Sequence, residues 1–237
     1  MRIKILFDKN APDKKLHAGW GVSFLIGDKI VFDTGEKGPW LMENMTNLGV
    51  DIAGIESVVI SHDHWDHTGG LWALLEKRRG LTTYACPHFS GEFKEKVQKS
   101  PGTLIEADKL KEISGNIFIT GEIPGVYHGK HMPEQALAVR TENGISVITG
   151  CAHPGISKMV AQVKAAFSNE PIYLVSGGFH LMESDQRAIE TVVGDFKKMG
   201  VKKVGPTHCS GPKAEEFFEQ EYGDNFTHII VGETSEI

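Results

Sequence analysis

At 237 residues with 40% hydrophobic and 24% charged side chains, the chain has the make-up of a globular protein able to bury a core, and no stretch approaches the roughly 18–20 apolar residues of a membrane span. The net charge of −6 gives no general pull toward nucleic acid, and three cysteines, Cys86, Cys151 and Cys209, without a CxxC pair fit reduced thiols rather than a disulfide framework. The N-terminal run alternates like a strand and lacks a signal-peptide core, so the expectation is a cytoplasmic protein folding as a single domain over residues 1–237.

Residues 3–7, 21–26 and 29–32 read as three strands, the last two joined by a tight turn at Gly27-Asp28. Between the first two lies a polar loop, residues 8–20, long enough to overhang a site, which makes Trp20 a candidate substrate contact. The third strand ends in Phe32-Asp33-Thr34-Gly35, residues 39–48 read as an amphipathic helix closed by Gly49, and 58–60 as a short buried strand. That strand delivers Ser61-His62-Asp63-His64-Trp65-Asp66-His67-Thr68-Gly69-Gly70. His62, His64, Asp66 and His67 crowd so many donors into six residues that a turn can aim all of them at one point. Neutral imidazole with carboxylate suits zinc, manganese or iron, and the absence of thiolate argues against an iron–sulfur centre. A helix starts at Leu71, and Gly69 and Gly70 are expected to lend the turn backbone freedom.

Beyond it, 82–85 reads as a strand, 89–99 as a helix, and 109–122 as a pair of strands around Ser114-Gly115-Asn116. Residues 123–134 show no periodicity and are treated as a candidate substrate wall, with Tyr127 and His128 as contacts. A hairpin follows (136–140 with 145–149) and runs into Gly150-Cys151-Ala152-His153, then a helix over 156–167. Strand 172–175 enters Ser176-Gly177-Gly178-Phe179-His180 before a helix over 184–199. Strand 201–204 enters a turn with His208 before a helix over 213–221, and 228–231 reads as a last strand. Four times a short apolar strand hands a histidine-bearing turn to a helix, which places His62, His153, His180 and His208 at the same edge of a sheet, where ligands gather in α/β folds.

HxHxDH with two glycines, after the Asp33 tetrapeptide and before His153 and His208, resembles the signature of the metallo-β-lactamase superfamily of hydrolases. The resemblance implies an α/β fold of four layers, an αββα sandwich. It also implies two divalent metal ions, zinc foremost with manganese or iron as alternatives: His62, His64 and His153 on the first, and Asp66, His67 and His208 on the second. Asp33 would then support the metal loop through hydrogen bonds. The pattern departs where many members carry a bridging aspartate, because Gly177-Gly178 stands there. Gly-Gly-Phe-His-Leu, with Asp8, Asn10 and Glu134-Gln135-Ala136-Leu137, resembles instead the branch of dihydropterin ribofuranosylaminobenzene phosphate synthases.

The leading expectation is a metal-dependent hydrolase of a small phosphorylated or ester-like molecule, with Asp66 orienting water and His180 serving the substrate or leaving group. A transferase joining a dihydropterin pyrophosphate to an aminobenzene riboside phosphate is the alternative from the branch resemblance. A diiron flavoprotein would need glutamate in place of His64 and a flavodoxin domain, and a nucleic-acid enzyme a basic clamp; neither is present. Retention of both sets of metal donors counts against a noncatalytic binding module. The expected partner is a small-molecule substrate, with no nucleic acid and no membrane; the oligomeric state is left open. Cys151 and Cys209 read as small buried residues beside ligands, and His17, His88, His128 and His131 as further pocket candidates.

Overall fold

A computed structural model describes residues 1–237. It divides into two compact units, Met1–Asp108 with Ile229–Glu236, and Lys109–His228 with Ile237. In the first unit the β-branched runs form β1 (Arg2–Phe7), β2 (Ser23–Ile26), β3 (Ile30–Phe32), β4 (Ser57–Val59), β5 (Thr82–Ala85) and β6 (Thr103–Glu106) of one seven-stranded sheet. β1, β2 and β3 are antiparallel neighbours, whereas β3, β4, β5 and β6 run parallel. Parallel pairs need crossovers, and these are supplied in turn by α1 (Gly38–Asn47), by α2 (Trp65–Thr68) with α3 (Leu71–Lys77), and by α4 (Gly91–Lys99). Leu41, Met45, Leu71, Leu74, Phe93 and Val97 on the longer helices close over Leu6, Val31 and Val58 in one core.

The second unit carries β7 (Lys111–Ser114), β8 (Ile117–Ile119), a separate two-stranded ribbon of β9 (Val126–Tyr127) and β10 (Lys130–His131), then β11 (Leu137–Thr141), β12 (Gly144–Thr149), β13 (Ile172–Gly178) and β14 (Lys203–Thr207). Its six-stranded sheet has the order β14-β13-β12-β11-β8-β7. β12, β13 and β14 are parallel neighbours, linked by α5 (Ile156–Ala166) and α6 (Gln186–Met199), and α7 (Pro212–Tyr222) follows β14. Met159, Val160, Val163, Ile189, Val193, Phe196 and Phe218 bury against Val147, Val175 and Val204. No helix is long and apolar enough to cross a membrane.

The structure corrects the sequence reading at several points. β6 was not anticipated: it is an edge strand of pattern exposed-intermediate-intermediate-exposed, with two apolar residues. Residues 228–231 form no strand; the C-terminal strand is Thr234–Glu236, paired antiparallel with β1, where Ile5 N–H donates to Glu233 and Gly232 N–H to Ile5. β14 starts and ends later than expected and runs through Pro206, which an edge strand tolerates. The wall at 123–134 contains the β9–β10 ribbon. Most consequential for the site, β4 lies in the seven-stranded sheet and β12, β13 and β14 in the six-stranded one, so His62 does not share a sheet edge with His153, His180 and His208.

Candidate metal centre

In the first unit, Asp33 follows β3 with φ 55°, a left-handed conformation that aspartate tolerates better than most residues. Its carboxylate is fully buried and organises the loop after β4. Oδ1 accepts the Ser61 backbone N–H at 2.7 Å, and Oδ2 accepts the Ser61 hydroxyl at 2.7 Å and faces His67 Nδ1 at 2.7 Å. A proton on His67 Nδ1 is therefore bonded to Asp33, which leaves Nε2 as the lone-pair atom, 3.5 Å from Asp66 Oδ2. The same logic reaches His62 through one intermediary. Ser61 gives its own proton to Asp33, so its oxygen accepts from His62 Nδ1 at 2.9 Å, and His62 Nε2 is left to face His64 Nδ1 at 3.1 Å.

Two nitrogens bound to one tetrahedral zinc stand roughly 3.3 Å apart. His62 Nε2 and His64 Nδ1 have the spacing of co-ligands, and the set of imidazoles plus Asp66 fits a divalent cation. Burial lowers the proton affinity of His67, but the charge and hydrogen bonds of Asp33 and Asp66 raise it by more, so its pKa stands well above the usual histidine value, and a cation taking Nε2 would displace the proton that Asp66 favours there. Asp66 and His67 lie on α2, a single helical turn that the sequence reading took as loop. Gly69 and Gly70 have ordinary right-handed backbones there, not the freedom expected of them. Their requirement is steric: a Cβ on Gly69 would lie 2.0 Å from the Glu36 carbonyl oxygen, and one on Gly70 2.3 Å from that of Thr34.

In the second unit the carboxyl ends of β12, β13 and β14 lead to His153, His180 and His208. These turns hold Ala152, His180 and His208 at φ 64°, 54° and 52°, a conformation that costs a non-glycine residue about 1–2 kcal/mol and persists only where its surroundings impose it. The His180 and His208 turns tie to each other: Leu181 and Met182 N–H both donate to the Cys209 carbonyl, and Phe179 N–H donates to the Ser210 hydroxyl. At the His153 turn the restraint is Glu134, fully buried, whose Oε1 accepts the N–H of Cys151 at 2.9 Å and of Ala152 at 2.8 Å and whose Oε2 accepts that of His153 at 2.8 Å. Sequence reasoning did not give Glu134 this role. Its signal was its place in Glu134-Gln135-Ala136-Leu137, the stretch that resembles the synthase branch, which says nothing of what the carboxylate holds.

Cys151 Sγ lies within 4.8 Å of a ring nitrogen of His208, which adds a thiol to that neighbourhood. The glycines at the position of the absent aspartate are enforced by space. A Cβ on Gly177 would meet the Thr149 carbonyl oxygen at 2.1 Å, and one on Gly178 would meet that of Gly150 at 2.3 Å and Cys209 Sγ at 2.6 Å.

The candidate substrate contacts divide. Tyr127 stands on the ribbon with its ring 4.7 Å from His153 and 5.5 Å, edge-on, from His180, and His153 and His180 are 4.5 Å apart. His128, at the ribbon turn with φ 46°, packs on Tyr127 at 4.1 Å. His180 is pushed below the usual histidine pKa by burial, reinforced by His128 and opposed by a backbone hydrogen bond and Glu183. Trp20, in the first unit, is half-buried, and its backbone N–H donates to Glu36 Oε1 at 3.2 Å. His17 is committed elsewhere: it stacks on Trp40 and pairs with Glu43 at 2.6 Å, both on α1. His88 and His131 are exposed, after β5 and on β10.

With this geometry in view, a family model described as the metallo-beta-lactamase superfamily matches residues 21–163. The chain belongs to the metallo-β-lactamase superfamily. It is 30% identical to the 7,8-dihydropterin-6-methyl-4-(beta-D-ribofuranosyl)-aminobenzene-5'-phosphate synthase of Methanocaldococcus jannaschii, over 94% of this chain and 90% of that protein. An uncharacterized protein of the same organism is also 30% identical, over 97% and 98% of the two chains. Among solved structures, Tm1679, described as a metal-dependent hydrolase of the beta-lactamase superfamily, superposes with a TM-score of 0.83 at 31% identity, covering 100% of this chain and 99% of that one. The fold class and the superfamily resemblance read from the sequence are thereby borne out, and the chain is a member of an enzyme superfamily with donor groups suited to metal.

Proposed function

We propose that this metallo-β-lactamase-fold protein is a dinuclear metal-dependent hydrolase of a small phosphorylated or ester-like substrate. His62, His64 and His153 would hold one divalent ion and Asp66, His67 and His208 the other, with zinc the first choice and manganese or iron the alternatives. The observation that carries the reading is the Asp33 network, which holds Nδ1 of His67 directly and Nδ1 of His62 through Ser61, so that Nε2 is the atom each offers to a cation, and leaves His62 Nε2 and His64 Nδ1 spaced as co-ligands. Bound divalent ions supply acidity to water at neutral pH and positive charge for a developing oxyanion. The chain's own residues do the rest. Asp66, almost fully buried, accepts a hydrogen bond from the attacking water and orients it. His180, neutral at physiological pH because its pKa is lowered, hydrogen bonds the substrate's oxyanion or leaving group. Tyr127 braces the rings of His153 and His180. The partner is a small molecule, and the whole chain acts as one catalytic domain.

The second reading is a transferase, favoured by the name of the Methanocaldococcus jannaschii relative and by the glycines at 177 and 178. It would join a dihydropterin pyrophosphate to an aminobenzene riboside phosphate and release pyrophosphate, with the same residues holding the departing group. Protein stripped with a chelator and reloaded with zinc, manganese or iron, then assayed on phosphodiester and ester substrates and on the two-substrate pair, separates them. Metal-restored hydrolysis without a second substrate supports the first reading. Pyrophosphate release only when both substrates are present replaces it with the second, and no activity with any metal on either class overturns both.

A further inference from the structure

Glu134 meets the His153 turn in a manner that packing alone does not require. Its carboxylate takes three consecutive backbone N–H groups, Cys151 and Ala152 on Oε1 and His153 on Oε2, at 2.8–2.9 Å. The middle residue of the three is Ala152, in the left-handed region at φ 64°, so the carboxylate holds a strained turn whose last residue is a metal-donor histidine. Glu134 is itself fixed in place: its own N–H and carbonyl both pair with Ile123, at 3.1 and 2.9 Å. From the ribbon side the backbone at Gly125 presses on the same peptide, since a Cβ there would lie 2.9 Å from Pro154 N and 3.1 Å from the His153 carbonyl carbon. The His153 backbone is therefore clamped between a buried anion and a glycine that approaches too closely for any side chain.

We infer that Glu134 is a positioning residue for His153, fixing through three backbone bonds the place from which its ring reaches a metal ion. This rests on the reading of His153 as a metal ligand. The two oxygens make the inference sharp. Glutamine in place of Glu134 offers one carbonyl oxygen, which keeps the bonds to Cys151 and Ala152 at the Oε1 position, and an NH2 group that faces the His153 N–H donor against donor. Glu134→Gln thus spares the turn's first two anchors and breaks the one on His153.

The test is metal affinity by chelator competition with zinc, and the visible spectrum of the cobalt-loaded protein, for wild type, Glu134→Gln and His153→Ala. Circular dichroism of each metal-free protein gives a folding control. A positioning role predicts a folded Glu134→Gln protein whose affinity falls by about 10- to 100-fold and whose cobalt spectrum shifts. A purely structural role predicts a lower thermal midpoint with the affinity and spectrum of the folded protein unchanged, and that result overturns the inference. If His153→Ala binds both ions as wild type does, the ligand assignment itself fails. Loss of metal in His153→Ala alone, with Glu134→Gln unaffected, overturns only the role of Glu134. Should Glu134→Gln not fold, Glu134→Asp carries the same test, since it keeps the charge but withdraws both oxygens by one methylene. The same weakening and spectral shift are expected, and wild-type affinity and spectrum would sink the proposal.

Discussion

The two units each bury one carboxylate beneath a histidine turn, but they do so by different chemistry. Asp33 works through side chains: it takes the Ser61 hydroxyl and His67 Nδ1, and by way of Ser61 it reaches His62. Glu134 works through the backbone, taking three successive N–H groups and touching no imidazole nitrogen in those bonds. The first arrangement dictates which ring nitrogen carries a proton. The second dictates only where the chain places the ring. Donors that come from one contiguous loop allow a single acid to set several tautomers, whereas donors delivered singly by neighbouring strands must each be aimed by their own turn.

The largest effect that breaks this contrast is expected from Asp33→Ala. It leaves His67 Nδ1, the Ser61 hydroxyl and the Ser61 N–H without their buried acceptor, at a cost of about 3–5 kcal/mol, and abolishes metal binding by the first unit's donors. Urea unfolding with metal titration of the surviving folded protein checks both, and wild-type midpoint and affinity would show that the tautomer argument is wrong. Next comes Gly178→Ala, whose new methyl has nowhere to go beside the Gly150 carbonyl and Cys209 Sγ. Overpacking of this kind costs about 1–3 kcal/mol, which at about 2–4 °C per kcal/mol lowers the thermal midpoint by several degrees. An unchanged midpoint would mean that a side chain, and so a bridging carboxylate, fits there.

Ala152→Gly sharpens the comparison from the other side. Relief of the left-handed alanine is offset in part by the freer unfolded chain, so stability is expected to rise by no more than about 1 kcal/mol in thermal melts. A loss of stability would show that the turn is not strained. The smallest effect is expected at Tyr222, whose hydroxyl is buried without a hydrogen bond and whose pKa burial and Glu221 push up to about 12. The folded state retains this proton while the unfolded chain releases it above the ordinary value of 10.0. Its contribution to stability is therefore constant below pH 10.0 and is lost as the pH rises toward about 12. Tyr222→Phe should be neutral or slightly stabilising at pH 7 and should flatten the alkaline limb of a stability–pH curve; an unaltered limb would contradict it.

How much of this was legible follows from the same contrast. The loop at 61–67 announced itself because its donors are contiguous and follow an apolar strand, and Asp33 could be singled out because its motif precedes them. Glu134 stood in a stretch that resembles the synthase branch, but its role was not legible, since its partners lie 17–19 residues away and are backbone groups, which leave no trace in residue type. The β9–β10 ribbon escaped because two-residue strands show no alternation and because His128 holds a left-handed turn position where glycine or asparagine signals one. Edge strand β6 hid for lack of a buried face, and Gly69 and Gly70 were noticed but misread, because a requirement for close approach and one for positive φ look identical in sequence. The fold class was legible through motif order; the separation of the four histidine turns between two sheets was not, since strand order is set by tertiary pairing.

The central claim is that two sets of donors hold two ions. It is tested most directly by metal content from mass spectrometry on untagged protein, with His208→Ala and His180→Ala beside the wild type. The account predicts two divalent ions per chain, falling to one in His208→Ala and unchanged in His180→Ala. One ion or none in the wild type would contradict it.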